Sequence, residues 1–251
     1  MRAVVLIPTY QEAENIASIL QRVRAAVPSA SVLVIDDNSP DGTAELAEPV
    51  NGELGQIEVL RRPGKGGLGP AYLAGYRWAI DRDYELVVDM DADGSHNPAT
   101  VPDLIGVVDN GADLAMGSRW IPGGSIPGWS FRRRMLSRWG NRYASFALGI
   151  DVKDATGGFR AYRVAMLRRL DLATVRANGY GFQIEMAYRV VQRGGRVVEI
   201  PIEFKDRTLG MSKMSGNIIL EALVLVTRWA VRDRLVHRGE RRSSVEGGGG
   251  T

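Results

Sequence analysis

Three carboxylates occupy alternate positions in Asp89-Met90-Asp91-Ala92-Asp93, directly after the apolar run Leu86-Val87-Val88. A short apolar run of this kind is a buried strand, and acids at its end stand at the carboxyl edge of a sheet, where open α/β sheets bind ligands. Two carboxylates there suit a hard divalent cation, Mg²⁺ or Mn²⁺, which takes oxygen ligands and shares them with substrate phosphates. The same stretch would also serve as a polar loop capping the next helix, with Asp or Ser ahead of Asn97-Pro98. Other strand ends carry similar chemistry. Asp36-Asp37 could accept hydrogen bonds from a base or ribose. The loop Gly64-Lys65-Gly66-Gly67-Leu68-Gly69 lets backbone and one cation approach a phosphate. It lacks the Gly-x-x-x-x-Gly-Lys-Ser/Thr order of a P-loop, and no Gly-x-Gly-x-x-Gly follows the first strand. Taken singly, each loop could equally be a turn.

Charge gives a second indication. The 251 residues carry 32 Lys and Arg against 29 Asp and Glu, a net +3, spread unevenly. Residues 131–142 hold Arg132, Arg133, Arg134, Arg138 and Arg142 with no acid, and residues 228–242 hold six arginines against Asp233 and Glu240. Such runs attract phosphates, anionic lipid or nucleic acid, or are solvated helix faces. Cysteine is absent, which excludes disulfides, thiolate metal sites and a cysteine nucleophile. Having only His96 and His237 argues against a histidine-rich metal site as well. No signal peptide is visible, since Met1 leads directly into a strand.

The elements that must hold these residues alternate. Strands are expected at Arg2–Ile7, Ser31–Ile35, Ile57–Leu60, Leu86–Val88 and near 112–116. Helices are expected up to about Val27, with Ile16, Ile19, Leu20 and Val23 on one face, from about Pro70 to Ile80, and near 98–109. Alternation at short spacing argues a mostly parallel sheet with helices on both faces. The second half departs from it. A Gly/Pro-rich stretch, 122–129, is long enough for a mobile or binding loop. An arginine-rich helix follows at about Phe131–Leu148, then a helix opening at Gly179, a strand at Val197–Phe204 and a loop around Gly210. The last helix, about Asn217–Arg234, is amphipathic but shorter than the roughly 20 apolar residues of a membrane span. It either packs on the domain or lies in a membrane interface with its arginines toward headgroups. There is no internal repeat.

The loops, in this order, resemble the polyprenyl-phosphate (dolichyl-phosphate) mannose synthases of the inverting GT-A glycosyltransferases, family 2. The matching stretches are Pro8-Thr9-Tyr10-Gln11-Glu12, Asp36 to Thr43, Arg62 to Gly69, Met90 to His96, Gly117-Ser118-Arg119, Asp154 to Arg160, Gly179 to Glu185, and Asp206-Arg207 with Ser212-Lys213. The resemblance implies a Rossmann-like GT-A domain over 1–215; beyond it, pattern and composition predict an amphipathic C-terminal helix over 216–238 and a disordered, Gly/Ser-rich tail over 239–251. It implies mannose transfer from GDP-mannose to a polyprenyl phosphate with inversion, dependent on Mg²⁺ or Mn²⁺. Pro8, Tyr10, Glu12, Ile35 and Asp37 would hold the guanosine, with Lys65 also on the donor side. Asp91, Ala92 and Asp93 would form the metal and sugar-nucleotide motif, with Asp91, Asp93 and Ser95 on the cation. Arg119, Arg133 and Ser137 would receive the lipid phosphate, Arg119 joining Asp91 and Asp93 in catalysis. Arg207 and Lys213 would clamp the diphosphate from a closing loop. The implied location is cytoplasmic and peripheral on the cytoplasmic face of a membrane, with a membrane-embedded partner protein and no nucleic acid. Two positions depart from the family: Ser95 stands where members often carry Gln, and Asn178 where many carry Lys, which implies one donor-phosphate contact fewer.

The residues suit that chemistry. A phosphate oxygen is already an anionic nucleophile, so a general base is hardly needed, and neither histidine has an obvious partner. The alternatives are a UDP-glucose-dependent glucosyltransferase on the same lipid, a nucleotidyltransferase, and a non-catalytic nucleic-acid module. The arginine runs lack the interleaved aromatics expected of the last.

Overall fold

A computed structural model describes residues 1–206 and 222–232. Seven strands form one sheet: β1 Ala3–Thr9, β2 Ser31–Asp36, β3 Ile57–Arg61, β4 Leu86–Asp89, β5 Leu114–Ser118, β6 Arg160–Arg163 and β7 Val197–Pro201. Their order is β3-β2-β1-β4-β6-β5-β7. Every pairing is parallel except those of β6, which runs antiparallel to both β4 and β5. The carboxyl ends of the other strands therefore share an edge, and β6 begins there, with Arg160 opposite Asp89.

Strand residues alternate between two cores, as the two-residue period of a strand requires. Val4, Leu6, Leu33, Ile35 and Val87 pack to one face, and Val5, Ile7, Val32, Val34 and Val88 to the other. The second face is covered by helices α1 (Ile16–Ala26), α2 (Thr43–Leu54) and α4 (Val101–Asp109). The first is covered by α3 (Leu68–Asp81), α5 (Phe131–Leu148), α6 (Val164–Arg169), α7 (Gly179–Gln192) and helical residues 222–232, here α8. α3 lies so close to the sheet that a Cβ on Gly75 would come within 2.6 Å of Ile35 and 2.7 Å of Leu6.

The elements expected from periodicity are present, most within a few residues of their expected ends. Three were not expected: α2, the six-residue α6 and β6. α2 carries Pro49 and Gly52, which blur its helical signal. β6 is four residues long and opens on an arginine that reads as a loop residue. Arg160 is nonetheless fully buried, because its guanidinium donates to the carbonyls of Gly157, Gln183 and Ala155. In α8, Ala222 and Val226 are buried and Trp229 stacks on Tyr188 of α7 at 6.4 Å. The described part of that helix packs on the domain, with Trp229 partly buried against α7. Arg207, Gly210, Ser212, Lys213, the start of the last helix and the tail over 239–251 lie outside the described residues.

Candidate active site

One cleft opens at the carboxyl edge above β1, β2 and β4. Pro8, Tyr10, Glu12, Asp37, Lys65, Asp91, Ala92 and Asp93 line it, together with Gly67, Leu68, Asn178 and Gly179, around about 1320 Å³ of space including its open mouth. Lys65 Nζ lies 4.2 Å from the centre of the Tyr10 ring. The Asp37 carboxylate is occupied: it accepts from Arg62 and from the amides of Gly66 and Gly67, at 2.9 and 3.3 Å. It thus shapes the glycine-rich loop besides facing the cleft. Asn178 clips the same loop from the other side. Its Oδ1 accepts the amides of Gly69 and of Gly179, the first residue of α7, both at 3.0 Å. Gly67 has φ +90°, and a Cβ there would come within 2.3 Å of the Asn178 amide nitrogen. Asn178 therefore joins loop to helix in place of the Lys that many members of the resembling family carry. Ile35 does not reach this cleft; its side chain is fully buried in the core under α3.

The three alternate carboxylates have different fates. Asp89 is wholly buried and accepts a hydrogen bond from Tyr76. Burial pushes its pKa well above the carboxylate range, against the opposing pull of that hydrogen bond and of Arg160. It belongs to the core. Asp91 faces the cleft with its side chain 32% exposed. Asp93 also lines the cleft, but at 5% exposure it is no surface acid, and its Oδ1 accepts the Ser95 amide at 3.0 Å. Helix capping falls to Asn97, whose side chain accepts the Ala99 amide, so Asp91 and Asp93 are not needed for it. Ser95 Oγ is buried and makes no hydrogen bond to a described residue. No group of three or more His, Asp or Glu side chains able to hold a metal occurs among the described residues. The set on offer, two carboxylates and an unsatisfied hydroxyl, fits a hard cation that completes its shell with substrate oxygens and water.

A second hollow lies beside the first. Arg119, Arg133 and Ser137 stand in a groove of about 650 Å³ with Trp129, Leu136, Tyr143, Ala144, Tyr180 and Ile184, closed on one side by Ala222, Leu223 and Val226 of α8. The three residues expected together are together, but both arginines already hold an acid. Arg119 donates through Nε and Nη2 to Asp154 at 2.7 and 2.6 Å, and its own amide donates to Asp154 at 2.8 Å. Burial works against the Arg119 charge and Asp154 more than offsets it, so the pKa is raised. Arg133 donates through Nη1 to Asp206 at 2.9 and 3.2 Å and lies 3.8 Å from the Trp129 ring centre, while Trp129 Nε1 donates to Asp206 at 2.9 Å. Asp154 and Asp206 appear in the sequence stretches quoted above, but nothing there marked them as countercharges.

An aromatic cluster lies beside both hollows. Phe204 meets the edge of His96 at 5.7 Å and of Trp129 at 5.9 Å, and lies 5.3 Å from the Arg119 guanidinium. Outside the groove, α5 presents Phe131, Met135, Trp139 and Phe146 to solvent, and α8 presents Val224 and Val231. Among the described residues no helix is long and apolar enough to cross a membrane.

Residues 4–171 match the family described as Glycosyl transferase family 2. A polyprenol monophosphomannose synthase of Mycolicibacterium smegmatis is 48% identical over 235 residues, 93% of this chain and 89% of that protein. An undecaprenyl-phosphate mannosyltransferase of Micrococcus luteus is 48% identical over 234 residues, 93% of this chain and 96% of that protein. Among solved structures, a glucosyl-3-phosphoglycerate synthase from Mycobacterium tuberculosis in complex with UDP superposes with a TM-score of 0.69 at 18% identity, covering 91% of this chain and 80% of that one. A mannosyltransferase from Pyrobaculum calidifontis in complex with GDP-Man and Mn²⁺ gives 0.56 at 17% identity, covering 92% and 73%. At such identities the structural likeness establishes the fold alone.

Proposed function

The chain belongs to glycosyl transferase family 2, and we propose that it transfers mannose from GDP-mannose to a polyprenyl phosphate, with inversion at the anomeric carbon. The observation that carries this reading is the pair of adjoining hollows. One is a cleft with four carboxylates, Glu12, Asp37, Asp91 and Asp93, and Lys65, suited to a nucleoside diphosphate sugar with a cation; the other is an apolar groove with two arginines, suited to a phosphate on a hydrocarbon chain. The names of the two relatives at 48% identity support mannose and a polyprenyl phosphate as the transferred sugar and its acceptor.

In this reading an acceptor phosphate oxygen attacks the anomeric carbon as the bond from that carbon to the diphosphate breaks, and GDP leaves. In-line displacement turns an α-linked donor into a β-mannosyl phosphate. Tyr10, Glu12 and Asp37 would bound the guanosine pocket, and Lys65, freed from Tyr10, would approach the diphosphate. Asp91, Asp93 and Ser95 would hold Mg²⁺ or Mn²⁺, which when bound supplies charge to the leaving oxygens. Arg119 and Arg133 would bind the acceptor phosphate, with Ser137 as a third donor, and reduce repulsion between two anionic substrates. Arg207 and Lys213 would complete the diphosphate clamp. The exposed apolar residues of α5 and α8, interleaved with Arg132, Arg134, Arg138 and Arg228, would rest on an anionic bilayer and bring the groove to its lipid. In this reading the chain attaches peripherally to a cytoplasmic membrane face, alone or beside a membrane-embedded partner, and the same surface supports the attachment.

Donor identity is tested by thermal shift. At about a hundredfold excess over its Kd, a bound donor stabilises by about 2.7 kcal/mol. For a chain of this size that raises Tm by about 5–10 °C. GDP-mannose with Mn²⁺ should give that shift and UDP-glucose should not; the reverse order would make the enzyme a glucosyltransferase.

A further inference from the structure

The sequence leaves His96 without a role, and the structure gives it one. β4 ends at Asp89, and the Met90 amide still bonds the Leu6 carbonyl at 3.1 Å. Asp91 is the first residue of the motif whose amide has left the sheet. That amide donates to His96 Nδ1, five positions along the chain, at 3.1 Å. The proton of the neutral ring must then sit on Nε2, and Nε2 lies 4.0 Å from the Asp91 carboxylate. One imidazole therefore addresses both the backbone and the side chain of Asp91.

The ring is itself fixed. His96 is 2% exposed and stacks on Phe159 at 4.7 Å with the planes 10° apart, while Phe204 closes on its edge. At the other end of the loop, Asp93 accepts the Ser95 amide, and the Ser95 carbonyl accepts the Lys205 amide at 3.3 Å. Phenylalanine would fill the same space between Phe159 and Phe204. What only an imidazole adds there is an acceptor at the ring edge that meets the Asp91 amide.

We propose that His96 is a positioning residue: through Nδ1 it locks the Asp91 backbone, and so holds the Asp91 carboxylate in place before a cation and diphosphate arrive. This rests on the reading that Asp91 and Asp93 bind the cation. Without the clasp, residues 91–95 must be ordered on binding, and that entropy cost weakens cation affinity. Groups that hold a metal ligand in place typically change metal affinity by about 10–100-fold when removed.

The test uses the full chain, Mn²⁺ as probe, and GDP at saturation, with bound Mn²⁺ read by electron paramagnetic resonance. His96→Phe keeps the ring stack and removes the acceptor; His96→Asn puts an amide oxygen close to the position of Nδ1 and gives up the stack. His96→Phe should weaken Mn²⁺ binding about tenfold or more, with metal-free GDP affinity unchanged, and His96→Asn should restore most of the loss. Unaltered Mn²⁺ binding in His96→Phe overturns the proposal, as does equal impairment in both variants, which would show that an acceptor at this position does not restore the site. Failure of the unmodified protein to bind Mn²⁺ in the presence of GDP removes the metal reading itself, and the proposal with it. Should His96→Phe not fold, nitrogen NMR on the unmodified protein decides. A scalar coupling between the Asp91 amide and an unprotonated His96 Nδ1 supports the clasp, and a protonated Nδ1 without coupling overturns it.

Discussion

Replacing Asp93 by Asn is expected to lower transfer at limiting Mn²⁺ about 10²–10³-fold, the scale of removing one preorganised charge-stabilising group. The choice of Asn matters because Asp93 is not an exposed loop acid. It is 5% exposed and its Oδ1 accepts the Ser95 amide at 3.0 Å. Alanine would remove the cation ligand and that hydrogen bond together, adding roughly 1 kcal/mol of lost stability to the catalytic effect. Asparagine keeps an acceptor for the amide and removes only the charge. Tm should therefore stay close to that of the unmodified protein while activity falls. Part of the loss should return at high Mn²⁺, because a weakened site still fills by mass action. Full activity of Asp93→Asn at limiting Mn²⁺ would take Asp93 out of the cation site.

Arg119→Ala is expected to act twice. It should raise the acceptor KM about tenfold to a hundredfold, since hydrogen bonds to a charged group contribute about 1.5–3 kcal/mol. It should also destabilise the chain by about 3–5 kcal/mol, because it leaves Asp154, which is fully buried, without its partner. The two effects separate in the double variant Arg119→Met with Asp154→Leu, where no charge is left unpaired. That variant should regain most of the stability and none of the transfer. Arg133→Ala offers a contrast. Its pair with Asp206 is 32% and 47% exposed on the two sides, so stability should fall by only about 0–1 kcal/mol. The acceptor KM should still rise. GDP-mannose affinity should be nearly unchanged in all three variants, and equal weakening of both substrates in a titration would contradict the division of roles.

Much of this frame was legible in the chain. Continuous apolar runs marked the parallel strands because strands buried on both faces contain few polar residues. The helix at Phe131–Leu148 was legible to its ends, since Ser130 caps it and Gly149 stops it. The walls of the donor cleft were legible as loops because each follows a strand to the same edge. What stayed hidden lies in contacts between distant positions. Asp154 sits 35 residues from Arg119 and Asp206 sits 73 from Arg133, so no local pattern announced either pair. The sequence showed a cluster of positive charge; the folded chain shows two arginines already neutralised, which a phosphate must share or win. Ile35 was placed at the cleft because position at a strand end does not say how deep a side chain lies. β6 escaped because a buried arginine satisfied by backbone carbonyls is indistinguishable in sequence from a solvated one.

The central claim is that the carboxylate-lined cleft and the arginine groove serve two substrates of a single displacement. It is tested most directly by incubating the chain with GDP-mannose labelled in the sugar, a short polyprenyl phosphate and Mn²⁺, then following label and nucleotide together. The account predicts label in the polyprenyl phosphate fraction as a β-linked mannosyl phosphate, with one GDP released for each sugar transferred. Free mannose as the labelled product, or release of pyrophosphate instead of GDP, would contradict it.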